Sequence, residues 1–253
     1  MDSSLSEKLK SLAQKYEVAS FCDSDPSQFL RRYSAQEEAE AASFFTAMLS
    51  FGSRSIFIPK LRAAFDLADK NGGFYSYIKN RHFTADFPSS GENSKKKFYR
   101  FYSYADIALF FEEMAEVFDK CGSLGAAVHS SETSFDALHA CHAIQELFPK
   151  SKIVSKGKTS PHKRIFMFLR WMSRASSPVD LGLWPWLSPS TLVIPLDTHV
   201  MAQSQKLGLI PEKSPCSIKT ALLLTDKLKE VWPEDPVKGD FALFGLGVNE
   251  DEK

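Results

Sequence analysis

The chain has 253 residues, of which 43% are hydrophobic and 25% charged, a composition typical of an ordinary globular protein. Its formal net charge is zero, which excludes an overall basic protein, so any affinity for nucleic acid must come from local clusters of charge. The four cysteines are scattered without a Cys-x-x-Cys pair, which predicts free thiols. The sequence has no apolar signal core and no run near the roughly 20 apolar residues of a membrane span, so we expect a cytoplasmic protein.

Apolar residues recur with helical spacing along most of the chain, beginning with Leu5, Leu9 and Leu12. Strand-like alternation is scarce. Further helices are predicted over residues 27–32, 35–50, 55–70, 105–120, 133–148, 161–174, 198–207, 216–231 and 239–246. The pattern therefore predicts an all-α fold, with residues 1–253 forming a single helical domain.

Two segments break the helical pattern. Residues 83–97 are rich in Ser, Pro and Gly, which predicts a flexible, exposed loop. Residues 178–195 contain four prolines, which forbid a long helix, but also apolar residues such as Trp184 and Leu187. We expect this second segment to be irregular and packed onto the domain, leading to Asp197.

The positive charges are concentrated between Lys150 and Arg174. Eight basic residues lie in this segment, and no Asp or Glu interrupts them. Such a concentration is typical of a surface that contacts phosphates, although a solvated basic patch would have the same pattern.

The helix predicted at 161–174 begins with Pro161 at its first position and Ser160 as its cap. Lys163 and Arg164 would then lie in the first turn, where cations are unfavourable against the helix dipole unless an anion is near. The pattern indicates that a phosphate binds at this helix start.

Asp197 precedes another predicted helix, within Ile194-Pro-Leu-Asp-Thr-His-Val200. The pattern alone favours a structural N-cap. A carboxylate at a helix start also stays ionised, and it could stabilise the cationic sugar that forms when a glycosidic bond breaks.

Three stretches carry a family resemblance: the KR-x₂-MFLRWM pattern at 163–172, DLGLW at 180–184 and IPLDTHV at 194–200. They resemble an uncharacterised bacterial family, which in turn is similar to a remote branch of the helix-hairpin-helix (HhH-GPD) DNA glycosylase superfamily. The similarity covers residues 36–247 and is nearest to the archaeal 8-oxoguanine DNA glycosylases. It implies a two-lobed helical architecture with a cleft between the lobes. Asp197 matches the superfamily's invariant aspartate, and Lys163 matches the nucleophilic lysine of its bifunctional members. Two superfamily features are missing, since Ser155-Lys-Gly-Lys-Thr-Ser160 replaces the L-P-G-x-G hairpin and the four-cysteine iron–sulfur motif is absent.

The resemblance also implies roles for other residues. Residues that would contact the substrate are Gly52, Ser53 and Arg54, in a loop that fills the gap left by an extruded base, together with His199, Phe241 and Phe244. Residues that would contact DNA phosphates are Lys156, Lys158 and Arg164. For Phe241 and Phe244 the alternative is a core position in the last helix.

The resemblance implies that the protein is a DNA repair N-glycosylase with AP lyase activity, which flips out and excises a damaged base. The substrate expected first is an oxidised purine. Lys163 would attack the sugar C1′ and form a Schiff base, and Asp197 would stabilise the developing positive charge. One alternative is a helical module that binds DNA or RNA without catalysis. Another is a monofunctional glycosylase that uses water, in which Lys163 only contacts phosphate. We expect a nucleoid-associated monomer that acts on damaged duplex DNA, with no cofactor, iron–sulfur cluster or membrane partner. No metal site is predicted, because the His139-x-x-His142 pair and Cys141 are interpreted as helix-packing and surface residues.

Overall fold

The computed structural model describes residues 1–130 and 136–251, and the side chains up to residue 247. The helices are α1 (Ser3–Tyr16), α2 (Gln36–Leu49), α3 (Arg54–Asp69), α4 (Phe74–Lys79), α5 (Gly91–Ser94), α6 (Tyr104–Cys121), α7 (Leu124–His129), α8 (Ala137–Leu147), α9 (Lys163–Ser173), α10 (Thr198–Lys206), α11 (Ile218–Lys229) and α12 (Lys238–Asp251). Two short strands, β1 (Lys97–Tyr99) and β2 (Tyr102–Ser103), form an antiparallel hairpin.

Helix makes up 61% of the structure and strand 2%, which confirms the predicted all-α class. Most long helices begin and end within a few residues of their predicted bounds. The hairpin and the short helices α4 and α7 were not predicted, because elements of six residues or fewer hold too few repeats for their period to be recognised. No helix among the described residues is long and apolar enough to cross a bilayer.

The described chain divides into two compact units. The first unit holds residues 1–24, 136–139 and 156–251, and the second holds residues 25–130 and 140–155. In the first unit α12 packs against both α1 and α10. An added Cβ at Gly245 would lie 2.3 Å from the ring of Tyr16, and one at Gly247 would lie 3.1 Å from Cβ of His199. Both glycines therefore permit close helix contacts that larger residues would block.

The second unit is organised around α6 and an aromatic core. Phe45 lies 5.2 Å from Phe111 and is stacked on Phe74 at 5.1 Å, measured between ring centroids. Glutamates satisfy backbone N–H groups at two short helices: Glu38 accepts from Tyr75 at the start of α4, and the buried Glu40 accepts from Leu124 at the start of α7.

The segment predicted as an exposed loop at 83–97 is only partly exposed. It contains a 3₁₀ turn at His82–Ala85 and the short helix α5, and it ends in β1. Phe83 and Phe87 are buried, and each packs edge-on against Phe111. The prediction of an exposed loop is wrong for these two residues, because their aromatic rings complete the core of the second unit.

The prediction of an irregular, packed segment at 178–195 is confirmed. Apart from a 3₁₀ turn at Pro189–Thr191, the segment has no regular structure. It pairs with the end of α9, since N–H of Leu181 donates to the carbonyl of Trp171 and N–H of Trp184 donates to that of Met172. This docking brings the chain from α9 to Asp197 through buried residues.

Candidate active site

Helix α9 begins at Lys163, two residues later than predicted. Its N-cap is His162, which has a left-handed backbone with φ 46°. Ser160 does not cap the helix, because its Oγ accepts the backbone N–H of His162 at 3.3 Å and forms a separate turn. The assignments of Ser160 as the cap and Pro161 as the first helical residue are therefore wrong. Lys163 and Arg164 still occupy the first turn of the helix.

Asp197 is the N-cap of α10, as predicted. Its Oδ1 accepts hydrogen bonds from N–H of His199 at 3.0 Å and of Val200 at 2.9 Å. Its Oδ2 lies 3.8 Å from Nζ of Lys163. That distance is an ion pair too long for a direct hydrogen bond. The two oxygens of Asp197 thus have separate roles, one in capping and one facing the lysine.

The Lys163–Asp197 pair is neither buried nor fully exposed. The two side chains keep 28% and 21% of their surface accessible, so a ligand can reach both. The pair joins the starts of α9 and α10, where the first backbone N–H groups add positive potential. The arrangement supplies an amine, a carboxylate oxygen and a positive field at one accessible place.

A second carboxylate, that of Asp240, is coupled to this pair. Asp240 is buried and accepts a hydrogen bond from Nη1 of Arg170. Burial raises the pKa of Asp240 to about 6; the charge of Arg170 opposes this rise, the negative charge of Asp197 adds to it and the positive charge of Lys163 opposes it. The site therefore contains a carboxyl group whose pKa is raised by burial and is sensitive to the charges of both candidate catalytic residues.

Arg170 and Arg174 lie inside a buried ionic network. Arg170 donates to Asp180 at 3.2 Å, and Arg174 pairs with Asp180 at 2.5 Å. Arg174 also pairs with Glu17 and Asp235, at 2.5 and 2.9 Å. Burial disfavours the charged guanidinium, but the charges of Asp180 and Asp235 outweigh it and raise the pKa of Arg174.

The network corrects the interpretation of the segment from Lys150 to Arg174 as one basic surface. Arg170 and Arg174 are only 4% and 3% exposed, because Asp180 and acids from distant parts of the sequence enclose them. Lys152 belongs to the second unit and pairs with Asp106 at 2.9 Å. The predicted phosphate contacts Lys156 and Lys158 are exposed, and Arg164 is half-buried.

Of the predicted base-contacting residues, His199 donates its backbone N–H to Asp197, and Phe244 packs against the ring of His199. Their rings are 6.1 Å apart and nearly perpendicular, and His199 follows Asp197 by two residues. Phe241 is 1% exposed and packs against Phe21 and under the guanidinium of Arg170, 4.4 Å from its ring centroid. Its position is that of a core residue, which was the alternative for both phenylalanines.

The loop residues Gly52, Ser53 and Arg54 belong to the second unit, not to the unit that holds Lys163 and Asp197. Gly52 has a left-handed backbone with φ 80°, and Ser53 is the N-cap of α3 without a side-chain cap. Arg54 pairs with Asp25 at 2.9 Å.

Sequence reasoning did not select Arg170, Asp240 or Cys216 as parts of the site. The signal for Arg170 was present, since it lies in an apolar run in which every residue from Ile165 to Met172 is buried, and a buried cation needs a partner. Cys216 carries no local signal. Partial burial of its sulfur raises the pKa of the thiol and the charge of Asp197 raises it further, so Cys216, although exposed as a residue, is coupled electrostatically to Asp197.

The comparisons with known proteins give a family and no activity. A family model described as "Protein of unknown function (DUF2400)" matches residues 25–249. No curated protein and no solved structure matches the chain. Within the described residues, no group of three or more His, Cys, Asp or Glu side chains is arranged to hold a metal ion.

Proposed function

Because the chain belongs to the DUF2400 family, whose description names no activity, we propose a function from the site: a DNA N-glycosylase with an associated AP lyase step. The observation that carries the proposal is the 3.8 Å separation of Nζ of Lys163 from Oδ2 of Asp197. An accessible amine beside a fixed carboxylate is the arrangement that Schiff-base chemistry on a sugar requires.

In this reaction the Lys163 ammonium first loses a proton to water, and its neutral nitrogen bonds to the sugar C1′ as the bond from C1′ to the base breaks. The electron pair of that bond leaves with the base, which takes up a proton from water. Oδ2 of Asp197 accepts the proton that the amine loses and stabilises the positive charge that develops on the sugar. Opening of the sugar ring leaves an imine between Lys163 and C1′. Loss of a C2′ proton then expels the 3′ phosphate.

The exposed Lys156 and Lys158 and the half-buried Arg164 lie close to Lys163 in the sequence, which supports phosphate binding near the start of α9. The rings of Phe244 and His199 contact each other, and His199 follows Asp197 by two residues, which supports a flipped purine at this place. An oxidised purine is the substrate we propose. The proposed architecture is the two-lobed HhH-GPD fold. Its support is the match of Ile194–Val200 to the aspartate motif and the helical content of both units.

The test is borohydride trapping on duplex oligonucleotides that each contain one lesion or one abasic site. A covalent protein–DNA adduct on an oxidised-purine duplex, with release of the base, is the expected result. Base release without an adduct would contradict the lyase step and leave a glycosylase that uses water. Binding to every duplex without adduct or base release would overturn catalysis and leave a binding module.

A further inference from the structure

The hairpin of the second unit presents an aromatic ring to solvent. Tyr99 of β1 pairs with Tyr102 of β2, and Arg100 and Phe101 form the turn between them. Phe101 is 61% exposed, more than any other large apolar side chain among the described residues. Arg100 has a left-handed backbone with φ 49°, which is uncommon for a residue with a side chain.

The exposed ring of Phe101 packs against two other aromatic rings. Its centroid lies 4.6 Å from that of the buried Tyr102 and 5.4 Å from that of Phe51. The guanidinium of Arg100 lies over the ring of Phe51 at 5.7 Å, and the hydroxyl of Tyr99 donates to the carbonyl of Phe51. Phe101 is therefore fixed in place by its neighbours while most of its own surface stays exposed.

The hairpin and the two residues that precede it are strongly basic. Lys95, Lys96, Lys97 and Arg100 are all exposed, and no Asp or Glu occurs between Lys95 and Ala105. The nearest acids in the sequence are Glu92, three residues before Lys95, and Asp106, which accepts from Ser103 at the start of α6 and pairs with Lys152 at 2.9 Å. The surface formed by residues 95–101, which we call the hairpin tip, thus combines four exposed cations with one exposed ring.

We propose that the hairpin tip binds DNA that contains an unpaired base, with Phe101 stacked on the base and the four cations on the flanking phosphates. Stacking on an aromatic ring is tolerant of sequence because every base has a π face, and basic side chains follow the backbone. DNA as the partner rests on the proposed function. The hairpin tip itself lies in the second unit, apart from the unit that holds Lys163 and Asp197.

The charge and the shape of the hairpin tip favour nucleic acid over a lipid surface. Adsorption to a membrane depends on a broad apolar face together with basic residues. The hairpin tip offers the single side chain of Phe101, since Tyr99 and Tyr102 beside it are buried. A single exposed ring surrounded by basic side chains is suited to stack on one base while the cations contact the phosphates on either side of it.

The experiment measures the affinity of the full-length chain for an undamaged, labelled single-stranded 20-nucleotide DNA by fluorescence anisotropy. Phe101→Ala is expected to weaken binding about tenfold, in the range expected when one base no longer stacks on an aromatic ring. Phe101→Tyr is expected to keep the wild-type affinity. The control is Leu223→Ala, which removes another exposed apolar side chain, on α11 of the first unit, and is expected to have no effect.

A second measurement concerns the cations. Replacing Lys95, Lys96 and Lys97 together with Gln should make the dependence of log Kd on log salt concentration shallower by about 0.7 for each phosphate that the variant no longer neutralises. Equal affinity of Phe101→Ala and wild type for the single strand would overturn the proposal. So would a loss of binding to phosphatidylserine vesicles in Phe101→Ala with DNA affinity unchanged, which would identify a membrane contact.

The two proposals fail separately because the undamaged strand offers no base to excise and no aldehyde to trap. All affinities are also measured in the Lys163→Gln background, in which a Schiff base at that position cannot form. Absence of trapping on the lesion duplexes would reject the proposed enzyme, but it would not bear on the affinities for the single strand. Unchanged affinity in Phe101→Ala would reject the hairpin tip without affecting trapping.

Discussion

The amine of Lys163 lies 3.8 Å from Oδ2 of Asp197, while Oδ1 of the same carboxylate accepts two backbone hydrogen bonds at the start of α10. Both donors are backbone N–H groups. They orient the carboxylate so that Oδ2 faces Lys163. Structural capping and a chemical role are therefore compatible in one residue, and substitutions can separate them.

Replacing Lys163 tests the nucleophile. Lys163→Gln should abolish borohydride-trapped adducts while DNA affinity falls by less than about tenfold, because only one of several cations is removed. The measurement pairs trapping with anisotropy on the same lesion duplex. The control is Lys229→Gln, since Nζ of Lys229 also lies 3.8 Å from a carboxylate, that of Asp226, on the surface of α11. Undiminished trapping in Lys163→Gln would move the nucleophile to another lysine, with Lys158 and Lys156 next.

Replacing Asp197 separates the cap from the chemistry. Asn caps helices about as well as Asp, so Asp197→Asn should change the free energy of unfolding by less than about 0.5 kcal/mol. Base release should slow by about 10²-fold or more, because the variant lacks the anion that we propose stabilises the cationic transition state. Single-turnover kinetics and denaturant unfolding measure the two effects. Asp226→Asn on α11 is the control, and full activity in Asp197→Asn would end the catalytic assignment.

The buried carboxyl of Asp240 should give stability a characteristic pH dependence. Burial raises its pKa in the folded chain to about 6 from an ordinary value of 3.8. Between these values the folded chain binds more protons than the unfolded chain, so the contribution of Asp240 to stability falls as pH rises from about 4 to 6.

Asp240→Asn removes this titration. The free energy of unfolding of the variant, minus that of wild type, should therefore increase from pH 4 to pH 7, as measured by urea unfolding at fixed ionic strength. Taking the difference cancels groups common to both proteins, including Asp235, whose pKa burial also raises. A difference that stays constant across this range would show that Asp240 does not titrate there.

The buried network around Arg174 should dominate the stability of the first unit. Arg174→Met leaves the buried Asp180 and its neighbouring acids without this cation, so we expect a decrease of about 3 to 5 kcal/mol in the free energy of unfolding. Arg81→Met is the comparison, because Arg81 also bridges two acids, Glu112 and Asp119, but on the surface of the second unit. Its decrease should be about 1 kcal/mol or less, since exposed ion pairs contribute little. Equal decreases in the two variants would contradict the assignment of a buried network.

The sequence by itself determined the features that depend on neighbours along the chain. The long helices follow from apolar repeats, and the irregular segment at 178–195 follows from prolines that cannot continue a helix. The capping role of Asp197 was also predictable, because a cap bonds to N–H groups only two and three residues away. In each case the interaction that decides the structure is encoded within a few residues.

Only the tertiary structure decided which charges meet. Lys163 and Asp197 are 34 residues apart, and their contact depends on how the segment at 178–195 docks onto α9. The pattern from Lys150 to Arg174 suggested one basic surface, yet Arg170 is turned inward to Asp180 and Asp240. Burial of a charge is settled by the acids that enclose it, and Asp240, which lies 70 residues from Arg170 in the sequence, is invisible to any local pattern.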